Sequence, residues 1–439
     1  VTGAFTRFLP ALVLFALPIA PAPAAEMLTW HGITEIAMGR AERGPWQMNE
    51  SRFDFVDDPS VALDAQGDAA VVWVDQARKD VFFQRFPAAV GARRGEPVNV
   101  SRSPKVFSWL PRVALSPRDA RLAFVLWQEI IFSGGSHGGD ILFARSEDGG
   151  RTFSRPLNLS NSVAGDGKGR ISRHLWHNGS LDIAVGPDGA VYTAWTEYEG
   201  ALWFSRSRDD GRRFSPPLRV AGSDARPARA PALAIGPDRV YLAWTVGEDR
   251  AADIRIAVSA DGGASFGEPR IVAPGPGYAD APKLALDARG TLHLAYAESP
   301  RGPLAPGGIR YTRSSDGART FEPPREISAQ GSGFPALSVD ADGNLYVLWE
   351  LFRDFPGRSR GLALAVSRDG GRSFSAPGVV PGSIDPAGGV NGSGQGLLMR
   401  KLAASGRGAV AIVNSSFKAG ESSRVWLMRG ALQAAPGGF

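Results

Sequence analysis

Four acids close short apolar segments in the same way: Glu129 ends AFVLWQE, Glu197 ends VYTAWTE, Glu298 ends LHLAYAE and Glu350 ends LYVLWE. A second set, mixing acids, arginines and rings, stands just ahead of other apolar segments: Asp57, Asp58, Trp109, Arg112, Arg173, His174, Trp176, His177, Arg229, Tyr278, Asp280 and Arg400. A guanidinium fork bonds a carboxylate at two points, and aromatic faces cover the C–H surface of a sugar. Arg112, Arg173, His174, Trp176, His177, Arg229, Glu350 and Arg400 are therefore the expected ligand contacts of a carbohydrate site, best suited to an acidic sugar. Glu197, Tyr278 and Asp280 carry the groups that could do acid–base or nucleophilic work there. His174 and His177 are two of only five histidines and flank Trp176. No cofactor and no metal are expected. Asp340-x-Asp342-Gly343 places two carboxylates at a hairpin tip, but the other oxygens of a six- to eight-ligand calcium site are not in view.

These residues need a scaffold that repeats, and the chain repeats. A short apolar strand with its turn recurs at 61–68, 113–120, 183–190, 233–239, 284–291, 337–344 and 402–409. A second strand follows each, as in AVVWV (70–74), VYTAW (191–195) and LYVLW (345–349). A third recurs from VFFQRF (81–86) to VWLMRG (425–430). The segments are short, β-branched or aromatic, and bounded by Gly, Pro or Asp, which is the pattern of strands. Four antiparallel strands at roughly 50-residue spacing make a propeller blade. The aromatic at the second-strand end (Trp73, Trp127, Trp195, Trp244, Tyr296, Trp349) is read as packing between blades. Fourth strands are visible in six repeats, from EPVNV (96–100) to APGVV (376–380), and the last repeat lacks one. An unclosed ring would expose sheet edges, so residues 32–37 are predicted to supply the missing strand. The expectation is an all-β chain: a seven-bladed propeller of four-stranded antiparallel blades, with six blades as the alternative. Residues 26–439 form one domain.

Between third and fourth strands the pattern Ser-x-Asp-x-Gly-x-x-Phe appears five times, at 146–153, 207–214, 259–266, 314–321 (Ala318 replacing Gly) and 367–374. The carboxylate can accept the turn's own N–H groups, Gly supplies a positive φ, and Phe anchors the loop. This motif resembles the Asp box, or BNR repeat, of the sialidase-type propellers. The resemblance implies that Asp148, Asp209, Asp261, Asp316 and Asp369 are structural and lie away from any active site. It also implies a sialidase chemistry of three Arg on the substrate carboxylate, a Tyr nucleophile with its Glu, and an Asp acid/base, which differs from the usual two-carboxylate arrangement. The chain departs from that pattern. Its segment 56–60 reads VDDPS where the family's Arg-Ile-Pro element would fall, and the repeats outnumber the family's six blades.

Alternating strand direction sorts the connections onto two faces. First–second turns and Ser-x-Asp loops share one. Long, variable connections share the other, notably 130–140, 161–180, 350–361 and 383–396, and binding residues concentrate on such loops. The 439 residues carry a formal charge of +5, but only six of the 49 basic residues are Lys and no basic block stands out, so nucleic acid is not an expected partner. Residues 1–25 read as a secretory signal: Arg7, an apolar run at 9–20, and Ala22-Pro23-Ala24 as the cleavage site. A periplasmic or secreted bacterial protein is expected, monomeric and not inserted in a membrane after cleavage. There is no Cys, so its stability comes from the core. The leading reading is a catalytically diverged propeller that binds a glycan or protein ligand on its long-loop face. An exo-glycosidase of sialidase type is the alternative, and an envelope interaction scaffold the second alternative.

Overall fold

A computed structural model describes residues 23–89, 95–130, 139–162, 165–172, 174–247, 252–273, 277–302, 305–352, 358–384, 398–406 and 408–434. Its strand pairing divides into seven antiparallel units of one design. In the first, Val56–Leu63, Ala69–Asp75, Asp80–Phe86 and Val98–Asn99 pair in that order. Later units begin with inner strands Ser108–Leu115, Leu181–Val185, Ala228–Ile235 and Tyr278–Leu286. The long strand Arg325–Val339 ends the fifth unit and opens the sixth. The last unit opens at Leu402–Ser405. Each inner strand touches the next, and the last touches the first. Helix among the described residues is limited to the 3-10 turn Ala24–Met27 and the single 3-10 residue Leu398.

The N-terminus closes this ring as the repeat count requires. Ser422–Leu432 pairs with Leu28–Trp30 through Thr29↔Ala431, and with Thr34–Gly39 through Thr34↔Leu427. The predicted closing segment 32–37 is thus shifted by two residues and extended upstream. Ala24 is fully buried and its N–H donates to the Ala376 carbonyl at 2.8 Å, so the chain is fastened to the sixth unit as well.

Second strands form the centre of each unit and are buried on both faces, completely so in Ala123–Glu129. The aromatics at their ends are at most 3% exposed from Trp73 to Trp349, as the packing reading expects. Apolar clusters lie between consecutive units, one joining Leu402 and Met428 to Leu348 and Leu364, another joining Ala411 and Val413 to Val61 and Trp73. A unit cannot bury its two faces alone, so burial of this kind exists only in the assembled ring.

The Ser-x-Asp turns carry the hydrogen bonds expected of them. Ser146 Oγ donates to Asp148 and accepts from the Gly150 N–H, and Asp148 accepts from the Thr152 N–H at 2.9 Å. At Asp261, the hydroxyl and N–H of Ser265 hold the carboxyl well below its usual range. The Gly149 N–H donates to Arg121 O at 2.9 Å, placing this loop beside the first–second turn of its unit. The terminal Phe reaches into the preceding unit: Phe153 meets Phe83 edge-on at 5.1 Å, Phe214 meets Phe143 at 4.8 Å, Phe266 meets Phe204 at 4.9 Å and Phe374 meets Tyr311 at 4.9 Å. The same rings dictate the glycine. A Cβ on Gly150 would lie 2.0 Å from Phe83, and one on Gly371 would lie 1.8 Å from Tyr311 Oη. Ala318 takes the left-handed conformation (φ 63°) without such a ring, because the preceding unit has Ile256 at the matching position.

Candidate functional site

Five inner strands begin with a feature that the repeat pattern did not disclose. Asp58, Leu110, Ala230, Ala281 and Phe334 each precede a proline and each adopts a positive φ of 50–55°. Strand register slips at the same places, for example between Arg229 and Ala232 and between Asp280 and Lys283. The bulge turns the preceding residues inward. Arg229, expected at an open rim, is 0% exposed and pairs with Asp280 at 2.8 Å. Arg112, 2% exposed, donates to the carbonyls of Leu110, Gly179 and Leu398 at 3.0–3.1 Å. Its burial lowers the guanidinium pKa to about 10.

The insert at 161–180 explains why no open pit remains. Lys168–Ser172 and Leu175–Asn178 form a hairpin that lies over the centre of the long-loop face. A Cβ on Gly169 would meet Arg229 at 2.3 Å, and Gly179 sits against Arg112, Leu110 and Leu398. His177 is buried with its ring 5.9 Å from that of Phe334, and burial takes its pKa down to about 4. Phe334, Leu398, Ala230 and Ala281 pack together beside it. An ion pair from Arg170 to Asp224 at 2.6 Å fixes the hairpin on its far side.

The remaining expected residues separate accordingly. Glu350, 1% exposed, pairs with Lys401 and Ser359 inside the fold. Glu129 accepts from Trp127 Nε1 and Ser103, Glu197 accepts from Trp203 Nε1 at 3.2 Å, and Glu298 meets Arg310 at 3.3 Å. Each of these acids ties its own sheet. Tyr278 and Asp280 line one cavity of about 10 Å³, the size of a single water and far too small for a sugar. Arg400 bonds Asp182 at 2.7 Å and opens onto the opposite, turn-bearing face. Arg112, Arg229, Glu350 and Asp280 are thus corrected from rim contacts to buried fastenings, and Arg400 to a residue of the other face. Arg173 lies outside the described residues. His174 and Trp176 stay accessible at the hairpin, where Lys168 Nζ stands 4.7 Å over the Trp176 ring and Tyr198 meets it edge-on at 5.4 Å. Asp340, read against a calcium role, accepts from the Asp342 and Asn344 N–H groups and from Tyr346 within its own turn.

Beside Glu197, Asp166 is buried, and burial pushes its pKa up to about 8, with Ser160 opposing and Glu197 adding to the rise. A carboxylic acid that keeps its proton beside a second carboxyl is the material of acid–base catalysis. Asp166 is only 1% exposed, however, and no sugar reaches it in this conformation.

An open concavity on the long-loop face lies elsewhere. Residues 41–44 and 52 face the hairpin tip 417–420 and Arg358 across a groove of about 840 Å³. Arg43 stacks over Phe53 at 5.7 Å and Arg358 over Phe417 at 5.8 Å. Burial first, and the neighbouring Arg43 charge second, lower the Arg358 pKa. Among the described residues, Arg43, Arg52 and Arg358 form no ion pair with a carboxylate. Trp46, half exposed, stacks near Phe53 at 6.2 Å. No motif or repeat spacing marks these residues in the sequence. Arg43 and Arg358 are more than 300 positions apart in the chain, and only the closing N-terminal segment joins them.

No protein-family model matches the chain, and a search of curated proteins returns no relative. Solved structures do match. A polysaccharide lyase of family PL25, an ulvan lyase bound to -[GlcA(1-4)Rha3S]-, aligns with TM-score 0.57 at 14% identity over 84% of this chain and 94% of its own. A protein of unknown function from Dyadobacter fermentans aligns with TM-score 0.51 at 13% identity, over 92% of this chain and all of its own. A Penicillium chrysogenum α-L-arabinanase complexed with arabinobiose aligns with TM-score 0.50 at 14% identity, over 74% and 94%. The fold is a β-propeller. At these identities the likeness fixes architecture and leaves the propeller's chemistry to its own residues.

Proposed function

We propose that this propeller is an exported, catalytically diverged member of the Asp-box group that binds an acidic glycan in the arginine groove of its long-loop face. The observation that carries the reading is the convergence of Arg43, Arg52 and Arg358 on a cavity of about 840 Å³, where cations outnumber the one acid of the lining, Glu42, and where Asp57 acts on Arg358 without a direct ion pair among the described residues. A volume of that order suits a sugar or short oligosaccharide. Two of the guanidinium groups are held over rings, which leaves their N–H edges for a uronate or sulfate. The ulvan lyase and arabinanase neighbours, with their saccharide ligands, agree with a glycan as the class of ligand. The five Ser-x-Asp turns support membership of the Asp-box group, and the apolar N-terminal run supports export. Sialidase-type hydrolysis gains no support: at the centre Arg112 and Arg229 are spent on carbonyls and on Asp280, and the arginine groove has no tyrosine and no aspartate among its lining residues.

Titration calorimetry with oligogalacturonate and with a neutral arabino-oligosaccharide tests the reading. The acidic oligomer should bind and the neutral one should not, and Arg43→Ala with Arg358→Ala should weaken binding at least tenfold, as expected for losing hydrogen bonds to charged groups. Equal affinity for both oligomers, or no loss in the double variant, would refute it.

A further inference from the structure

On the turn-bearing face the ring is open at its centre. The last residues of the inner strands enclose a funnel of about 340 Å³. Leu63, Leu115, Ile235, Leu286 and Val339 belong to its outer lining, one step from the turns. The next position inward is alanine in every unit from Ala62 round to Ala403, with Ser338 the one departure. These small side chains leave the bore wide. Deeper in, the walls become charged: Arg112, Lys283, Arg400 and Asp182 line the funnel. Its far end is shut by Leu398, Phe334, Ala230 and Ala281 beneath the long-loop hairpin.

The charges do not balance. Three cations and one carboxylate line the funnel, and that carboxylate is already occupied; of the two acids behind the wall, Asp280 is paired with Arg229 and burial raises the Asp58 pKa well above the usual carboxylate range. Asp182 Oδ1 accepts from Arg400 Nη2 at 2.7 Å and Oδ2 accepts from the Leu233 N–H at 2.9 Å. Arg112 spends its donors on backbone carbonyls. Arg400 uses Nη2 for both of its bonds, to Asp182 and to Ile183 O at 2.7 Å, which leaves Nη1 and Nε. Lys283 Nζ makes one long bond, to Leu398 O at 3.3 Å, although it has three protons to donate. Burial, with repulsion from Arg112 and Arg400, lowers the Lys283 pKa to about 8 in spite of Asp182 and Asp280. An enclosed site with apolar walls strengthens whatever attraction these donors exert.

We propose that the funnel is a second binding site, separate from the arginine groove, that seats a small oxyanion, a carboxylate or a phosphate, between Lys283 and Arg400. The ligand enters from the turn-bearing face, because the other end is sealed. The funnel holds a free ion.

The test is thermal unfolding and calorimetry of the full chain in inorganic phosphate, sulfate and acetate, each matched in ionic strength with chloride. Phosphate or acetate should bind saturably and raise the melting temperature beyond the chloride control. Lys283→Met should reduce affinity at least tenfold, while Lys283→Arg and the Arg43→Ala/Arg358→Ala variant should retain it. The Lys283 side-chain resonance should titrate at higher pH when the anion is bound. Stabilisation no greater than chloride gives, or undiminished binding by folded Lys283→Met, would overturn the site. Because the groove variant is carried in parallel, failure here leaves the glycan reading standing, and the converse also holds.

Discussion

Gly150→Ala is the substitution on which this architecture is most exposed to test. Gly150 has φ 89°, and an added Cβ would lie 2.0 Å from Cε1 of Phe83, whose ring is 1% exposed and held edge-on by Phe153. Two terms add. A left-handed conformation costs an L-residue about 1–2 kcal/mol, and overpacking a filled site costs about 1–3 kcal/mol. The variant should therefore lose about 2–5 kcal/mol. The protein contains its own control, since Ala318 occupies the same turn position opposite Ile256 with φ 63°. Phe83→Ile in the Gly150→Ala background should relieve the steric term and leave the conformational one. Urea unfolding of the wild type, both single variants and the double variant gives the coupling, expected at about 1–3 kcal/mol in favour of the Ala–Ile pair. Additive single effects would show that the motif glycine is not matched to the ring of the preceding unit, and the account of Ala318 would fall.

Two further outcomes follow from the structure. Asp166 has a folded pKa raised to about 8, so stability should be unaffected by this group below pH 4, should fall with rising pH by up to about 1.4 kcal/mol per unit between about pH 4 and 8, and should level off above. Asp166→Asn should remove that slope and be more stable than wild type at pH 8, as read by denaturant midpoints across pH. In a chain without Cys, Thr29→Cys with Ala431→Cys should oxidise to a single disulfide, because these residues are direct strand partners and such Cα atoms lie within bridging distance; a chain that stays fully reduced on mild oxidation would contradict closure by the N-terminus.

The parts of this molecule legible in the sequence are those imposed by local repetition. Strand alternation, the Ser-x-Asp turns and the second-strand aromatics each recur in register, and the missing fourth strand pointed to the N-terminus. The site was less legible for definable reasons. The positive φ at Asp58, Leu110, Ala230, Ala281 and Phe334 runs against the extended preference of a residue before proline, and no residue type announces it. That bulge turns Arg229 and Asp280 from rim residues into a buried pair. The hairpin at 168–178 looked like one more variable loop, although Gly169 and Gly179 allow it to lie against Arg229 and Arg112. The arginine groove draws on segments from opposite ends of the chain, so no spacing rule could assemble it. The reason for Ala318 lies in a neighbouring unit, since Ile256 stands where the units packed against the other four turns carry Phe83, Phe143, Phe204 and Tyr311.

The proposed glycan enters at the long-loop groove and not through the sealed centre. Hydrogen–deuterium exchange with and without oligogalacturonate tests this route most directly. Slowed exchange is predicted at 41–54 and 415–421, with 168–178 and the inner strands unchanged. Protection confined to the hairpin and inner strands, or spread over the turn-bearing face, would contradict it.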